Sequence, residues 1–232
     1  MSGQTISSEI YCTLKDHQNE DQKNPMQKYM KNQFCFFGIK TPERNKVFRE
    51  VYNRYPNLTY GEIVEAAYLL FEKDERECQY AALSLLSKAS LSPPVSSIAV
   101  YKDLLSIKPW WDTVDMISSN LCGDYFLYHR ENLWPIIEKW SFSENMWVRR
   151  ASIISQLRFK QQTDYELLFQ TIDQLKEEKE FFIEKAIGWA LREYSKTNPK
   201  LVINFIQTQN LSSLSKREAL KWLKNRGSSI TV

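Results

Sequence analysis

The segment KPWWDTVDMI, residues 108–117, combines two adjacent tryptophans with a nearby acid. Residues four apart share one face of a helix, so Trp111 and Asp115 would place an indole ring beside a carboxylate. A carboxylate framed by aromatic rings suits a cationic transition state, because it stabilises an oxocarbenium-like sugar while the rings contact the sugar face. The alternative interpretation is structural: both tryptophans belong to the core, and Asp115 is a solvated or capping acid.

Other catalytic patterns are absent from the sequence. It contains no Gly-rich phosphate loop, nucleophile elbow or H-E-x-x-H motif. Its 4 cysteines are scattered without a C-x-x-C pair, and its 2 histidines complete no zinc-binding spacing. We therefore expect no metal and no organic cofactor, so the chemistry would have to come from a carboxylate surrounded by aromatic and cationic side chains.

The elements that position these residues are predicted to be helices. Apolar residues recur at helical spacing, and turn signals such as NP at 24–25, TPE at 41–43, YPN at 55–57, SPP at 92–94 and TNP at 197–199 separate the segments. Glycine occurs only 6 times among 232 residues, which disfavours a hairpin-rich sheet. The pattern predicts an all-α protein of about thirteen helices. Because no segment is long enough to be a linker, one domain is expected over residues 1–232.

Several predicted helices resemble one another and recur at a regular distance. When Ala82, Asp115, Ala151, Ala186 and Ala219 are aligned, the steps between them are 33, 36, 35 and 33 residues. Such a period with two helices per unit is typical of an α-solenoid. A chance alignment of amphipathic helices is the alternative explanation.

In a solenoid, equivalent helices lie side by side and line one curved, concave groove. Functional residues should then recur at the repeat period. Arg150 lies 35 residues after Asp115, and Trp189 lies 39 residues after Arg150. Trp111, Asp115, Arg150 and Trp189 are therefore expected to meet in one cleft, contributed by three neighbouring repeats.

Positive charge is concentrated in two segments, although the whole chain has a formal net charge of only +3. Residues 148–160 contain Arg149, Arg150, Arg158 and Lys160 with no acid, and residues 216–226 contain five basic residues against Glu218 alone. Basic residues on successive helices would follow the phosphates of a duplex. A solvated helix face is the alternative interpretation.

The N-terminal residues have no basic region followed by an apolar one, and no apolar run approaches the length that spans a membrane. We therefore expect a cytoplasmic protein that does not associate with membranes.

Five segments together resemble the bacterial DNA alkylation repair enzymes of the AlkD type. They are NPMQKYMKNQFCFFGIKTPERNK, KPWWDTVDMI, MWVRRASIISQLRFKQQ, EFFIEKAIGWALREYSKTNP and LSKREALK. The likeness runs in order from about residue 10 to residue 225. It implies a DNA glycosylase built of HEAT-like helical repeats, which hydrolyses the N-glycosidic bond of cationic purines alkylated at N3 or N7.

The resemblance also implies roles for individual residues. The catalytic carboxylate of the family matches Asp115, the two tryptophans that contact the sugar match Trp111 and Trp189, and the cleft arginine matches Arg150. We further expect Tyr29, Arg149, Arg192 and Lys160 to contact DNA. Members of the family are understood to hold the lesion without drawing its base into a pocket, unlike most glycosylases.

Three hypotheses follow. The first is a monomeric, monofunctional glycosylase that acts on alkylated duplex DNA, leaves an abasic site, and is nucleoid-associated when bound. The second is a non-catalytic HEAT-type scaffold that binds DNA or protein on its concave face. The third is a hydrolase of another glycosidic substrate, which lacks a second carboxylate at a persuasive position. The presence of Trp111, Asp115 and Trp189 favours the first.

Overall fold

The computed structural model describes residues 2–89 and 92–225. Its contacts divide the chain after Ser92 into two compact units. The described residues form helices and turns without a β-strand, apart from one isolated bridge between Cys35 and Glu75. The all-α prediction is therefore confirmed, whereas the single domain over 1–232 stays a prediction. None of the described helices has the length and apolar character needed to cross a membrane.

Among the residues that the structure describes, the first unit contains five helices. They are α1 (Gly3–Asp16), α2 (Glu20–Tyr29), α3 (Thr41–Tyr52), α4 (Tyr60–Phe71) and α5 (Arg76–Lys88). The sequence predicts turns at NP, residues 24–25, and at TPE, residues 41–43, but Pro25 lies inside α2 and TPE forms the first turn of α3. A proline within a helix removes one backbone hydrogen bond, and α2 continues for only four residues beyond it.

The second unit contains nine helices within the described residues. They are α6 (Ser97–Leu104), α7 (Trp111–Met116), α8 (Gly123–Tyr128), α9 (Leu133–Ser141), α10 (Met146–Ile154), α11 (Tyr165–Leu175), α12 (Phe181–Ser195), α13 (Pro199–Thr208) and α14 (Ser213–Asn225). A π-helical segment, Ile117–Cys122, joins α7 to α8 in one continuous helical run. When this run is counted once, the fourteen α-helical segments give thirteen separate helices, as the sequence predicts.

Polar side chains cap the starts of several helices. Thr59 and Glu62 form a reciprocal capping box at α4. Asp164 accepts from the backbone N–H of Leu167 at α11, and Asn198 does the same for Leu201 at α13. These caps satisfy N–H groups that the first helical turn leaves without a partner.

Helices α10, α12 and α14 pack side by side as one row, while α9, α11 and α13 pack behind it. The aligned residues Ala151, Ala186 and Ala219 lie on the three helices of this row and are fully buried. Small buried side chains at equivalent positions let neighbouring helices approach closely. The helical-repeat prediction is therefore confirmed within the second unit, where the row carries the candidate site.

Candidate functional site

Asp115 lies on α7, one helical turn after Trp111, which is the first residue of that helix. Trp110 has an extended backbone and precedes the helix, while Asp112 lies in its first turn, where the helix dipole favours a negative charge. Trp111 and Asp115 are therefore on one face of a short helix, as the sequence predicts.

The Asp115 carboxylate forms a bidentate ion pair with Arg150 of α10. Nε of Arg150 donates to Oδ1 at 2.8 Å, and Nη2 donates to Oδ2 at 2.9 Å. Nη1 of Arg150 donates to the backbone carbonyl of Phe182 on α12. The side chains of Asp115 and Arg150 are 18% and 5% exposed, so the pair is shielded while the carboxylate retains an opening to solvent.

Burial raises the pKa of the Asp115 carboxyl above its ordinary value, while the charge and hydrogen bonds of Arg150 oppose that shift. The nearby charge of Asp112 adds a smaller upward contribution. Both carboxylate oxygens accept from the guanidinium, which is the arrangement of an ionised carboxylate. The site therefore holds an ionised carboxylate, paired with one guanidinium, in a partly dry environment.

The π-helical segment begins directly after α7 and places two hydroxyl groups beneath it. Ser119 donates to the backbone carbonyl of Asp115 at 2.6 Å, and Ser118 donates to that of Val114 at 2.6 Å. A π-helical turn leaves the regular backbone ladder incomplete, and such turns occur frequently at functional sites. Here the two serine hydroxyls satisfy carbonyls of the helix that carries Asp115.

An aromatic cluster supports the ion pair. The rings of Trp110, Trp147 and Phe182 lie 4.8–5.9 Å apart in tilted or edge-on pairs. The Arg150 guanidinium lies 5.9 Å from the Phe182 ring centroid. We did not predict this cluster, since Trp147 lies 37 residues from Trp110 and belongs to the next helical repeat.

Trp189 lines a cleft of about 410 Å³, which we call the Trp189 cleft. Its remaining lining residues are Ser119, Leu157, Arg158, Lys160 and Glu193. Ser119 connects the cleft to α7, because its hydroxyl contacts the Asp115 backbone. The cleft thus combines an indole face, two cations and one carboxylate beside the helix that carries Asp115.

The other predicted cations have different surroundings. Arg149 pairs with Glu178 through two hydrogen bonds of 2.7 and 3.0 Å, and Arg192 pairs with Glu218 at 3.3 Å. Lys160 lies exposed at the Trp189 cleft with its backbone in the left-handed region, at φ 52°.

Tyr29 ends α2 in the first unit and is 70% exposed. Arg226, the last residue of the second basic segment, lies outside the described residues.

The structure brings Asp115 and Arg150 into direct contact and places Trp189 and Lys160 together in one cleft. Arg149 and Arg192 instead contact acids on other segments. Within the described part of the chain, no group of three or more His, Cys, Asp or Glu side chains is arranged to hold a metal ion.

Residues 10–223 match the family model of the DNA alkylation repair enzyme. No curated protein sequence matches the chain. Among solved structures, a predicted DNA alkylation repair enzyme from Enterococcus faecalis is 33% identical, with a TM-score of 0.84. That alignment covers 89% of this chain and 96% of the other.

Two structures from Streptococcus mutans share the fold at lower identity. The protein smu.31 from strain UA159 is 18% identical with a TM-score of 0.64, and the alignment covers 94% of this chain and 98% of that protein. AlkD2 is 20% identical with a TM-score of 0.61, and its alignment covers 79% and 90% of the two chains. The expected AlkD-type helical-repeat fold is therefore confirmed.

Proposed function

The chain belongs to the DNA alkylation repair enzyme family, and on that premise we propose that it is a DNA glycosylase for cationic alkylated purines. Its substrates would be lesions such as 3-methyladenine and 7-methylguanine in duplex DNA. The observation that carries this proposal is the ionised Asp115 carboxylate, fixed by Arg150 and largely removed from water. We propose that the protein acts as a monomer, without a metal or an organic cofactor.

The chemistry of the lesion sets what the protein must supply. An alkylated purine already carries positive charge, so the electron pair of the breaking glycosidic bond neutralises the departing base. That base therefore leaves without a general acid. Positive charge develops instead on the sugar, which becomes oxocarbenium-like. Water then adds to the anomeric carbon and passes one proton to the solvent, so the products are a free base and an abasic site.

Asp115 supports this step as a fixed negative charge. A carboxylate held in a partly dry site stabilises a developing cation more strongly than one in bulk water, because the local dielectric is lower. Its position is set before the reaction, so no reorganisation is needed as the charge develops. Asp115 is also the group that would orient the attacking water.

Arg150 is best supported as the residue that positions Asp115. Its Nε and Nη2 hold both oxygens of the carboxylate, and Nη1 ties the guanidinium to the start of α12. The phosphate contact expected from the sequence stays a prediction. A phosphate would have to reach the remaining N–H groups of a guanidinium that is 5% exposed.

Trp111 and Trp189 are proposed to contact the deoxyribose. Aromatic faces pack well against sugar rings and stabilise nearby positive charge. The Trp189 cleft is lined chiefly by charged and apolar side chains, which suits a phosphate and a sugar. This favours recognition through the backbone of the lesion nucleotide, without flipping the base into an enclosed pocket.

The direct test is incubation of the purified chain with methylated duplex DNA. We expect release of 3-methyladenine and 7-methylguanine, with abasic sites that break only after alkali treatment. Binding without base release would refute the glycosylase and favour the non-catalytic scaffold. Strand breaks that form without alkali would contradict a monofunctional enzyme.

A further inference from the structure

Helices α12 and α14 approach each other closely at Gly188. A Cβ atom at this position would lie 2.5 Å from the Glu218 Cβ and 2.9 Å from the Ser215 carbonyl oxygen. Ser215 also donates its hydroxyl to the Glu184 carbonyl at 2.9 Å. The missing side chain at Gly188 therefore allows Glu218 of α14 to lie against α12 at the residue before Trp189.

Three cations converge on the Glu218 carboxylate. Oε1 lies 3.1 Å from Nζ of Lys185 and 2.6 Å from Nζ of Lys221, while Oε2 lies 3.3 Å from Nη1 of Arg192. We call these four residues the Glu218 cluster. Three positive charges and one negative charge leave two positive charges uncompensated within it.

The burial of the cluster differs between its acid and its bases. The side chain of Glu218 is 7% exposed, whereas those of the three cations are 28–51% exposed. Burial alone would raise the pKa of Glu218, but Lys221 and Lys185 outweigh it and hold the pKa below its ordinary value. The carboxylate therefore stays charged and gathers the cations, whose outer surfaces remain accessible.

The cluster lies beside the candidate site. On α12, Lys185, Trp189 and Arg192 follow at intervals of four and three residues, so they share one helix face. Phe182 lies on the α10 side of this helix, where its carbonyl accepts from Arg150. Glu218 projects from α14 and meets α12 at Gly188, the residue before Trp189. Trp189 therefore has Lys160 beside it in the Trp189 cleft. Along α12 it lies between Lys185 and Arg192 of the Glu218 cluster.

We propose that Lys185, Arg192 and Lys221 form a phosphate-binding site for the DNA strand that crosses α12 beside Trp189. The proposal rests on the proposed function, since it takes duplex DNA as the ligand. Partly held cations bind phosphate at a smaller entropic cost than freely rotating lysines do. The site would fix the strand on the α14 side of Trp189, while Lys160 contacts it from the cleft.

The test is the salt dependence of binding to a short undamaged duplex. The Lys185→Met/Lys221→Met double variant removes two of the three cations but leaves Arg192 to pair with Glu218. The slope of log affinity against log salt should decrease in magnitude by about two, and the affinity at low salt should fall more than tenfold. The matched control is Lys139→Met/Lys200→Met, which removes equal charge from α9 and α13 behind the row. It should keep the parental slope within about half a unit.

A slope equal to that of the control would overturn the inference. If the parent excises 7-methylguanine while the double variant keeps the control slope, the cluster proposal fails and the glycosylase stands. If the slope depends on the cluster but no base is released, the glycosylase fails and the cluster proposal stands.

The Glu218→Gln variant should change duplex affinity in the opposite direction. Glu218 competes with a phosphate for the same three cations, so its neutralisation should raise duplex affinity severalfold at low salt. A carboxylate that served only to join α12 to α14 would lower the melting temperature without changing affinity. That result would count against the proposal.

Discussion

Asp115 and Arg150 illustrate two opposing requirements on one ion pair. The guanidinium orients the carboxylate and opposes the effect of burial on its pKa. The same guanidinium also offsets part of the negative charge on Asp115 that would stabilise a cationic sugar. Arg150 holds both carboxylate oxygens, so the 18% of the Asp115 side chain that is exposed would be the part available to substrate.

Replacement of Arg150 should shift the pH dependence of excision. The proposed reaction needs ionised Asp115, so the rate should be present above the pKa of Asp115 and be lost as the pH falls through that pKa. In Arg150→Met, burial and the charge of Asp112 still raise the pKa of Asp115, but the opposing cation is gone. The pKa of Asp115 should therefore rise, and the acid limb of the pH–rate profile, where the rate falls with decreasing pH, should move to higher pH. Arg150→Lys keeps a positive charge, so the pH at which its excision rate is lost should lie between those of the parent and Arg150→Met. Single-turnover rates measured across pH check this order, and identical acid limbs in all three proteins would contradict it.

Trp189→Ala should lower the excision rate about tenfold or more, because it removes an aromatic wall of the cleft that would hold the sugar. Trp189 also packs against the core of the second unit, so some stability should be lost. The control is Trp134→Ala, which removes a surface tryptophan that donates to Asp164. A rate loss of equal size in the control, or one that follows the melting temperature in both variants, would indicate a purely structural role.

The sequence indicates the residues of the candidate site more reliably than it indicates their ion-pair partners. The spacing of 35 residues predicts that Asp115 and Arg150 lie close together, and the two side chains form an ion pair. The basic segment 148–160 contains no acid, yet Arg149 pairs with Glu178 and Arg158 with Asp124. Those acids lie 29 and 34 residues away, on other repeats. A local charge count therefore overestimates the free positive charge, because a solenoid brings distant residues side by side.

At the scale of elements, the close contact between α12 and α14 gives a stability prediction. Gly188→Ala would place a Cβ too close to a backbone carbonyl and to Glu218, so the helices must move apart. Such overpacking costs about 1–3 kcal/mol, and each kcal/mol corresponds to roughly 2–4 °C in Tm for a chain of this size. Thermal melting measures the loss.

Gly61→Ala is the matched control for that substitution. Gly61 lies in α4, and a Cβ there would meet no atom within 4 Å. Alanine favours the helix over glycine, so Tm should stay constant or rise slightly. An equal decrease in both variants would contradict the packing argument.

The predicted elements follow from periodicity, but one irregular element does not. Apolar spacing and turn residues such as Pro199 mark the helices, because these features act locally. The π-helical segment Ile117–Cys122 has no comparable sequence pattern, since its side chains suit an α-helix equally well. Packing by the surrounding helices decides its geometry. The same holds for the Trp110, Trp147 and Phe182 cluster, whose members come from three elements.

At the scale of the whole molecule, the formal charge of +3 gives little indication of DNA binding. The distribution of charge is more informative, because acids neutralise Arg149 and Arg150 while Lys160 and the Glu218 cluster retain positive charge. We therefore expect the affinity for DNA to depend on a few residues near Trp189, in addition to the general basicity of the chain.

Excision should also be independent of divalent metals. The proposed mechanism uses the Asp115 charge and the instability of the lesion itself, with no step that needs a Lewis acid. Rates measured after exhaustive chelation should equal those measured with added magnesium. A rate that is lost on chelation and restored by the metal would refute this mechanism.

The measurement that tests the central claim most directly is single-turnover excision of 7-methylguanine by Asp115→Asn. The substitution keeps the shape of the side chain and removes its charge, so the rate should fall about a hundredfold while duplex binding persists. Asp112→Asn, on the same helix, makes the same chemical change and should stay within a fewfold of the parent. Melting temperatures of both variants establish that each is folded. Excision by Asp115→Asn at the parental rate would contradict the account.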